Sequence, residues 1–132
     1  MKNTFKKAER LKSSREIGSL LSEGHLFKSY PFKIFWKTFP GASGTFPVKA
    51  AFVVPKKKFK RAVDRNLIKR RLKESYRINK HQLYDHLAEN NIGLKFVFIY
   101  MPNEIYSYDK ILKGMQDSLS TLIKQVNTEF NR

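Results

Sequence analysis

Eleven lysines and arginines fall within the twenty-two residues from Lys56 to Arg77, and in the second half of that stretch they recur at helical spacing. At 100° per residue, a helix over Val63 to Lys80 gathers Asn66, Lys69, Arg70, Lys73, Arg77 and Lys80 into a sector of roughly 100°. Ile68, Leu72, Ser75 and Tyr76 occupy the adjacent sector. An apolar stripe of this kind docks a helix on a core, so the neighbouring stripe points its cations outward. The chemistry available to such an array is neutralisation of several phosphates at once, with release of their counterions. Asn66 costs helix propensity where it stands. Flanked by Arg65 and Lys69, its amide can bond a phosphate, a 2′-hydroxyl or a base edge. A purely structural account is equally open, with Asn66 in an N-terminal turn capped by Asp64. Arg71 and Glu74 fall on the opposite side as an exposed i,i+3 pair.

A second group with binding chemistry lies in PFKIFWKTF, Pro31 to Phe39. As a strand it places Phe32, Ile34 and Trp36 on one face and Lys33, Phe35, Lys37 and Phe39 on the other. The first face reads as core. Cations interleaved with aromatics on the second suit unpaired bases, which stack on rings while their phosphates are neutralised.

Protein-based catalysis has little support. Of the three histidines, His25 falls in a turn, while His81 and His86 are five apart, which is wrong for two ligands on one helical turn. The eleven carboxylates are scattered, with no pattern for a shared Mg²⁺, and there is no glycine-rich phosphate loop or GxSxG motif. Absence of cysteine excludes disulfides, thiol catalysis and zinc ribbons.

Behind these groups stands a chain of 132 residues, enough for one domain, and residues 1–132 are expected to form one. Apolar residues make up 41%, which supports a core. The net charge of +16 and a pI near 10.2 favour nucleic acid or an anionic membrane as partner. No apolar run approaches the roughly 20 residues of a membrane span, and MKNTFKKAER lacks the apolar core of a signal peptide, so a soluble cytoplasmic protein is expected.

The elements that must position the two groups follow from caps and periodicity. Ser13-Ser14-Arg15-Glu16 is a capping-box arrangement opening a short helix with Ile17, Leu20 and Leu21, stopped at Gly24. Pro40, Gly41, Gly44 and Pro47 punctuate a hairpin loop between the Pro31–Phe39 strand and VKAAFVV, Val48 to Val54, which are expected to pair antiparallel. The basic helix continues to about Leu87 and stops at Asn90, Asn91 and Gly93. LKFVFIYM, Leu94 to Met101, reads as a strand buried on both faces. From an N-cap at Ser107, apolar residues Ile111, Leu112, Met115, Leu119, Leu122, Ile123 and Val126 mark a final helix. The order helix, strand, strand, helix, strand, helix is an α+β layout, a small sheet packed with helices.

Arg65-Asn66 followed by Lys69-Arg70, then Lys73 and Arg77, resembles the signature of the protein subunit of bacterial ribonuclease P. Arg10-Leu11-Lys12 before a short helix and Gly24, the strand end Val54-Pro55-Lys56-Lys57, and the apolar strand before Pro102 follow in the same order. The resemblance therefore covers nearly the whole chain. It implies a small mixed sheet like the second domain of ribosomal protein S5, with a left-handed βαβ crossover against the usual right-handed rule. It implies a tRNA-processing ribonucleoprotein in which the RNA subunit performs Mg²⁺-dependent removal of the 5′ leader from precursor tRNA. The protein itself would hold no tightly bound cofactor or metal and need no protein partner or membrane. By position, Arg61, Arg65, Asn66, Lys69, Arg70, Lys73 and Arg77 would bind ribonuclease P RNA. Lys33, Phe35, Lys37, Lys56, Lys57 and Phe59 would bind the single-stranded leader in a cleft between the first helix and the sheet. The chain departs from the family in carrying Ile17 and Leu21 where aromatics are common, a longer Lys56–Arg61 connection, and Tyr100 at a commonly basic position.

The competing readings are a non-catalytic binder, such as a ribosomal protein or a DNA-binding module, and an amphipathic membrane-surface protein. Aromatics on a basic strand disfavour duplex DNA, which offers no unstacked bases, and the apolar stripe of the basic helix is committed to the core.

Overall fold

The computed structural model describes residues 9–40 and 47–130. Helix α1, Ser14–Glu23, begins where expected: the Ser13 side chain accepts from the Glu16 N–H at 3.3 Å, and Gly24 closes the helix through its N–H to the Leu20 carbonyl. There follow β1 (His25–Ser29), β2 (Phe32–Pro40), β3 (Val48–Val53), α2 (Ala62–Asn79), α3 (His81–Glu89), β4 (Ile92–Tyr100) and α4 (Tyr108–Phe130). Ser107 caps α4, its hydroxyl accepting from the Lys110 N–H at 3.3 Å.

The sheet runs β1-β2-β4-β3, with β1·β2 and β2·β4 antiparallel and β3·β4 parallel. The expected β2–β3 hairpin is therefore corrected: β4 inserts between the two strands, and α2 with α3 forms the crossover that makes β3 and β4 parallel. The glycines of the expected turn, Gly41 and Gly44, lie outside the described residues. Burial explains the insertion. Ile92, Leu94, Phe96, Val97, Phe98 and Tyr100 are all buried, so β4 needs a neighbour on each edge and cover on each face. Strand β1 was not expected at all; of its five residues only Phe27 is buried, which leaves no alternating pattern to read.

One face of the sheet carries the main core. Phe32, Ile34 and Trp36 of β2, Val48, Ala50 and Phe52 of β3, and Phe96 and Phe98 of β4 meet Ile68, Leu72 and Tyr76 of α2 and the apolar stripe of α4. Among the described residues the opposite face is covered by α1 and residues 9–12 before it. There Leu11, Leu20 and Val97 are buried, with Ile17, Phe35, Ala51, Val53 and Ile99 half-covered around them. The basic helix is two helices rather than one running to Leu87. It ends at Asn79, and Lys80, expected on the cationic stripe, is turned inward with 2% of its surface exposed. Asn91 adopts φ 52°, a left-handed stop that asparagine tolerates, and returns the chain into β4.

Candidate nucleic-acid interface

Helix α2 divides as its periodicity requires. Ile68, Leu72, Ser75 and Tyr76 are buried, while Asn66 and Arg70 are exposed and Lys69, Lys73 and Arg77 half-exposed. Arg61, not Asp64, is the N-cap residue; Asp64 sits in the first turn with its carboxylate 4.0 Å from the Arg61 guanidinium. Arg65 faces back toward the preceding connection, donating to the Phe59 and Lys60 carbonyls at 2.7 and 2.9 Å. It shapes the entry to the helix as well as charging it. Arg71 donates to the Tyr106 carbonyl at 2.5 Å, and Glu74 pairs with Arg77 at 2.5 and 3.1 Å, not with Arg71 as its spacing suggested. That pairing holds the Glu74 carboxyl below its ordinary range and raises the Arg77 guanidinium.

Asn66, Lys69, Arg70, Lys73 and Arg77 line one concavity of about 470 Å³, which Arg10 and Glu74 complete. Lys73 is held below the ordinary lysine value, first by burial and then by the neighbouring charges of Arg10 and Lys69. Such crowding of like charge is relieved by an anion. Five cations against one carboxylate, arranged around an exposed amide, form a surface for phosphates.

The open sheet face is the second surface. Lys33, Phe35 and Lys37 of β2 lie opposite Ile99, Val97 and Lys95 of β4, and Val97 lies opposite Ala51 of β3. Phe35 is half-exposed, with the Lys33 ammonium 5.5 Å from its ring centre. Helix α1 stands over this face and supplies it with carboxylates: Glu23 is 3.7 Å from Lys37, and Glu16 is 3.9 Å from Lys95. The Lys95 ammonium also lies 5.6 Å from the Phe39 ring centre. Phe39 in turn rests on Gly93, where any Cβ would collide with the ring at 2.1 Å.

Between α1 and β3 runs a groove of about 280 Å³ whose walls include Lys12, Ile17, Val53, Lys69 and Lys73. Lys69 and Lys73 therefore face both the sheet groove and the concavity of α2. The sequence suggested two separate surfaces, but they adjoin.

Lys56 and Lys57 are exposed in the β3–α2 connection, near the end of the sheet where β2 begins and β4 ends. Phe59 is a correction. Expected to bind the leader, it is 7% exposed and packs against Tyr100 with ring centres 6.0 Å apart, because the connection folds this apolar ring into the core. Tyr100 is structural as well: its hydroxyl donates to the Glu104 carbonyl at 2.8 Å, accepts from the Tyr106 N–H at 3.0 Å, and is pushed up to about 12, chiefly by burial. Sequence reasoning did not assign Arg10 or Lys95 to either surface. Lys95 was signalled by its alternation with Val97 and Ile99, which marks the less covered face of β4.

Among the described residues no three or more His, Cys, Asp or Glu side chains are grouped so that they could hold a metal ion, and no helix is long and apolar enough to cross a membrane.

Comparison with known proteins agrees with this geometry. A family model described as Ribonuclease P matches residues 5–124. The ribonuclease P protein component of Porphyromonas gingivalis strain W83 is 36% identical over 114 residues, which cover 86% of this chain and 82% of that protein. That of Chlorobaculum tepidum is 28% identical over 129 residues, covering 92% and 84% respectively. Among solved structures, the Staphylococcus aureus RNase P protein superposes with a TM-score of 0.68 at 20% identity, covering 88% of this chain and 96% of that one. The RNase P protein from Thermotoga maritima gives 0.63 at 22% identity, covering 84% and 94%.

Proposed function

This chain belongs to the ribonuclease P protein family and is the protein component of that endoribonuclease; from this premise we propose that its two cationic surfaces divide the work of the holoenzyme. The RNA subunit docks on the exposed face of α2, where Asn66, Lys69, Arg70, Lys73 and Arg77 contact its backbone, with Arg61 and Arg65 at the helix entrance. The single-stranded 5′ leader of precursor tRNA lies across the open sheet face under α1. There Phe35 offers a ring for a base, Lys33 and Lys37 neutralise its phosphates, and Lys56 and Lys57 extend the cationic track at the end of the sheet.

What supports the reading is the continuity of charge: Lys69 and Lys73 line both concavities, so an RNA held on α2 and a strand held on the sheet are brought side by side. The protein thereby positions the leader relative to the RNA subunit, a contribution to orientation rather than to bond breaking. In this reading the Mg²⁺-dependent hydrolysis of the phosphodiester is the work of the RNA subunit, as the family resemblance implies, and no step of it is assigned to a side chain here.

Reconstitution tests this reading. The purified protein, a bacterial ribonuclease P RNA and precursor tRNA are combined at low Mg²⁺, and 5′ cleavage is expected to rise when the protein is present. Absence of stimulation overturns it. Precursor with a leader of several nucleotides is expected to bind the reconstituted complex more tightly than mature tRNA; equal binding would remove the leader from the sheet face.

A further inference from the structure

Residues 9–12 lie along the free edge of β3, where Arg10 bridges Ala50 in parallel and the Leu11 N–H donates to the Ala50 carbonyl at 2.8 Å. Burial alternates along this arm: Glu9 and Leu11 are buried, Arg10 and Lys12 exposed. Leu11 enters the small apolar cluster beneath α1. Glu9 enters a polar one. Its carboxylate accepts from the Lys80 ammonium at 2.6 Å and from the Tyr84 hydroxyl, and the Tyr76 hydroxyl donates to that of Tyr84 at 3.4 Å. Glu9 and Lys80 are 1% and 2% exposed.

A fully buried ion pair is a poor source of net stability, because desolvating both charges offsets most of their attraction. Its firmer consequence is geometric. With Glu9 bound inward, the two-residue period of an extended segment sends Arg10 outward, into the concavity lined by Asn66, Lys69, Arg70 and Lys73. There Arg10 adds its charge to those of Lys69 and Lys73, with Glu74 in the same lining. The same Lys80 that receives Glu9 stands at the junction of α2 and α3, so the arm is fastened to the end of the helix it must accompany.

We infer that Arg10 is a phosphate-binding member of the α2 interface, and that Glu9, held by Lys80 and Tyr84, is a positioning residue that fixes it there. The inference rests on α2 being the surface that binds the RNA subunit.

The test is a double-mutant cycle on binding of a bacterial ribonuclease P RNA, measured as a function of salt for the wild type, Arg10→Ala, Glu9→Gln and the double variant. Arg10→Ala is expected to weaken binding roughly 5- to 10-fold and to reduce the magnitude of the log Kd against log salt slope by about 0.7 to 0.9, the share of one phosphate. Glu9→Gln is expected to weaken binding by up to the same factor, and by nothing further once Arg10 is absent. An equal loss from Glu9→Gln in both backgrounds would make Glu9 merely structural and overturn the positioning role. Should Glu9→Gln fail to fold, Tyr84→Phe removes one donor to Glu9 and keeps the ring, whose centre lies 5.0 Å from the Lys80 ammonium. Its expected loss of about 2-fold should likewise vanish with Arg10→Ala, and no loss in either background would count against the lock. Tight wild-type binding with an unimpaired Arg10→Ala variant refutes this inference alone, whereas failure of the wild type to bind refutes the reading of α2 beneath it.

Discussion

Replacing Lys69 and Arg70 together by alanine isolates the charge of the α2 face from its fold. Arg70 is exposed and Lys69 half-exposed, neither belongs to the buried stripe, and alanine is the best helix former, so unfolding free energy should change by no more than about 0.5 kcal/mol. Binding should respond differently. Arg10, Lys69, Arg70, Lys73 and Arg77 face the concavity, and Glu74 offsets one of these charges through Arg77, leaving the equivalent of about four phosphate contacts. At about 0.7 to 0.9 per phosphate, this face contributes a salt slope of magnitude about 3 to 3.5, of which the double variant removes about 1.5. If each lost contact contributes about 1 kcal/mol, affinity near physiological salt falls roughly 30-fold. Filter binding to a bacterial ribonuclease P RNA across a salt series measures slope and affinity together. An unchanged slope would refute the assignment of phosphates to these side chains, and a lower affinity with an unchanged slope would point to altered packing.

Other expectations follow from the same geometry. Glu74→Gln releases Arg77 from its pair and should strengthen RNA binding while steepening the salt slope by about one contact, read from the same titrations. Glu16→Gln with Glu23→Gln frees Lys95 and Lys37, and should tighten binding of a single-stranded leader oligonucleotide by a few-fold, with little change in thermal stability because the Glu23–Lys37 pair is exposed and the Glu16–Lys95 pair half-exposed and loose at 3.9 Å. Phe35→Ala should weaken leader binding by about 1 to 3 kcal/mol in a fluorescence titration, whereas Phe59→Ala should instead lower stability by about 3 to 5 kcal/mol in urea unfolding. Tyr76, Tyr84 and Tyr100 are all raised above the ordinary tyrosine value, chiefly by burial. Above about pH 10 the unfolded chain releases phenolic protons that the folded chain retains. The stability these tyrosines contribute is therefore complete below pH 10 and is lost as pH rises through the folded values, about 12 for Tyr100. Urea midpoints should fall between pH 9 and 11, and an unchanged midpoint would contradict the burial of these hydroxyls.

What the chain disclosed in advance was what short-range physics controls. Ser13 and Ser107 cap their helices as their positions suggest, and the stripe of Ile68, Leu72 and Tyr76 faces the core because helical periodicity leaves it no other side. Strand order was not legible in this way. Two strands joined across glycines and prolines read as a hairpin, yet β4 takes the place between them because its residues are buried on both faces. That same continuous apolar run was the available signal for a central strand. Lys80 shows the limit of a helical wheel: its period places it with the cations, but Glu9, 71 residues away in sequence, draws it inside. Phe59 shows the complementary limit, since an aromatic among four lysines and an arginine looks like a ligand platform until the connection folds it onto Tyr100. The adjacency of the two surfaces through Lys69 and Lys73 depends on how α2 crosses the edge of the sheet, which residue spacing does not encode.

The division of surfaces is tested most directly by crosslinking within the assembled complex. A photoreactive benzoylphenylalanine is placed at position 70 in one preparation and at position 35 in another, each is assembled with a bacterial ribonuclease P RNA and precursor tRNA, and the captured RNA is sequenced. The account predicts capture of the RNA subunit from position 70 and of the precursor leader from position 35. Capture of the leader from position 70, or of the RNA subunit alone from both positions, would contradict it.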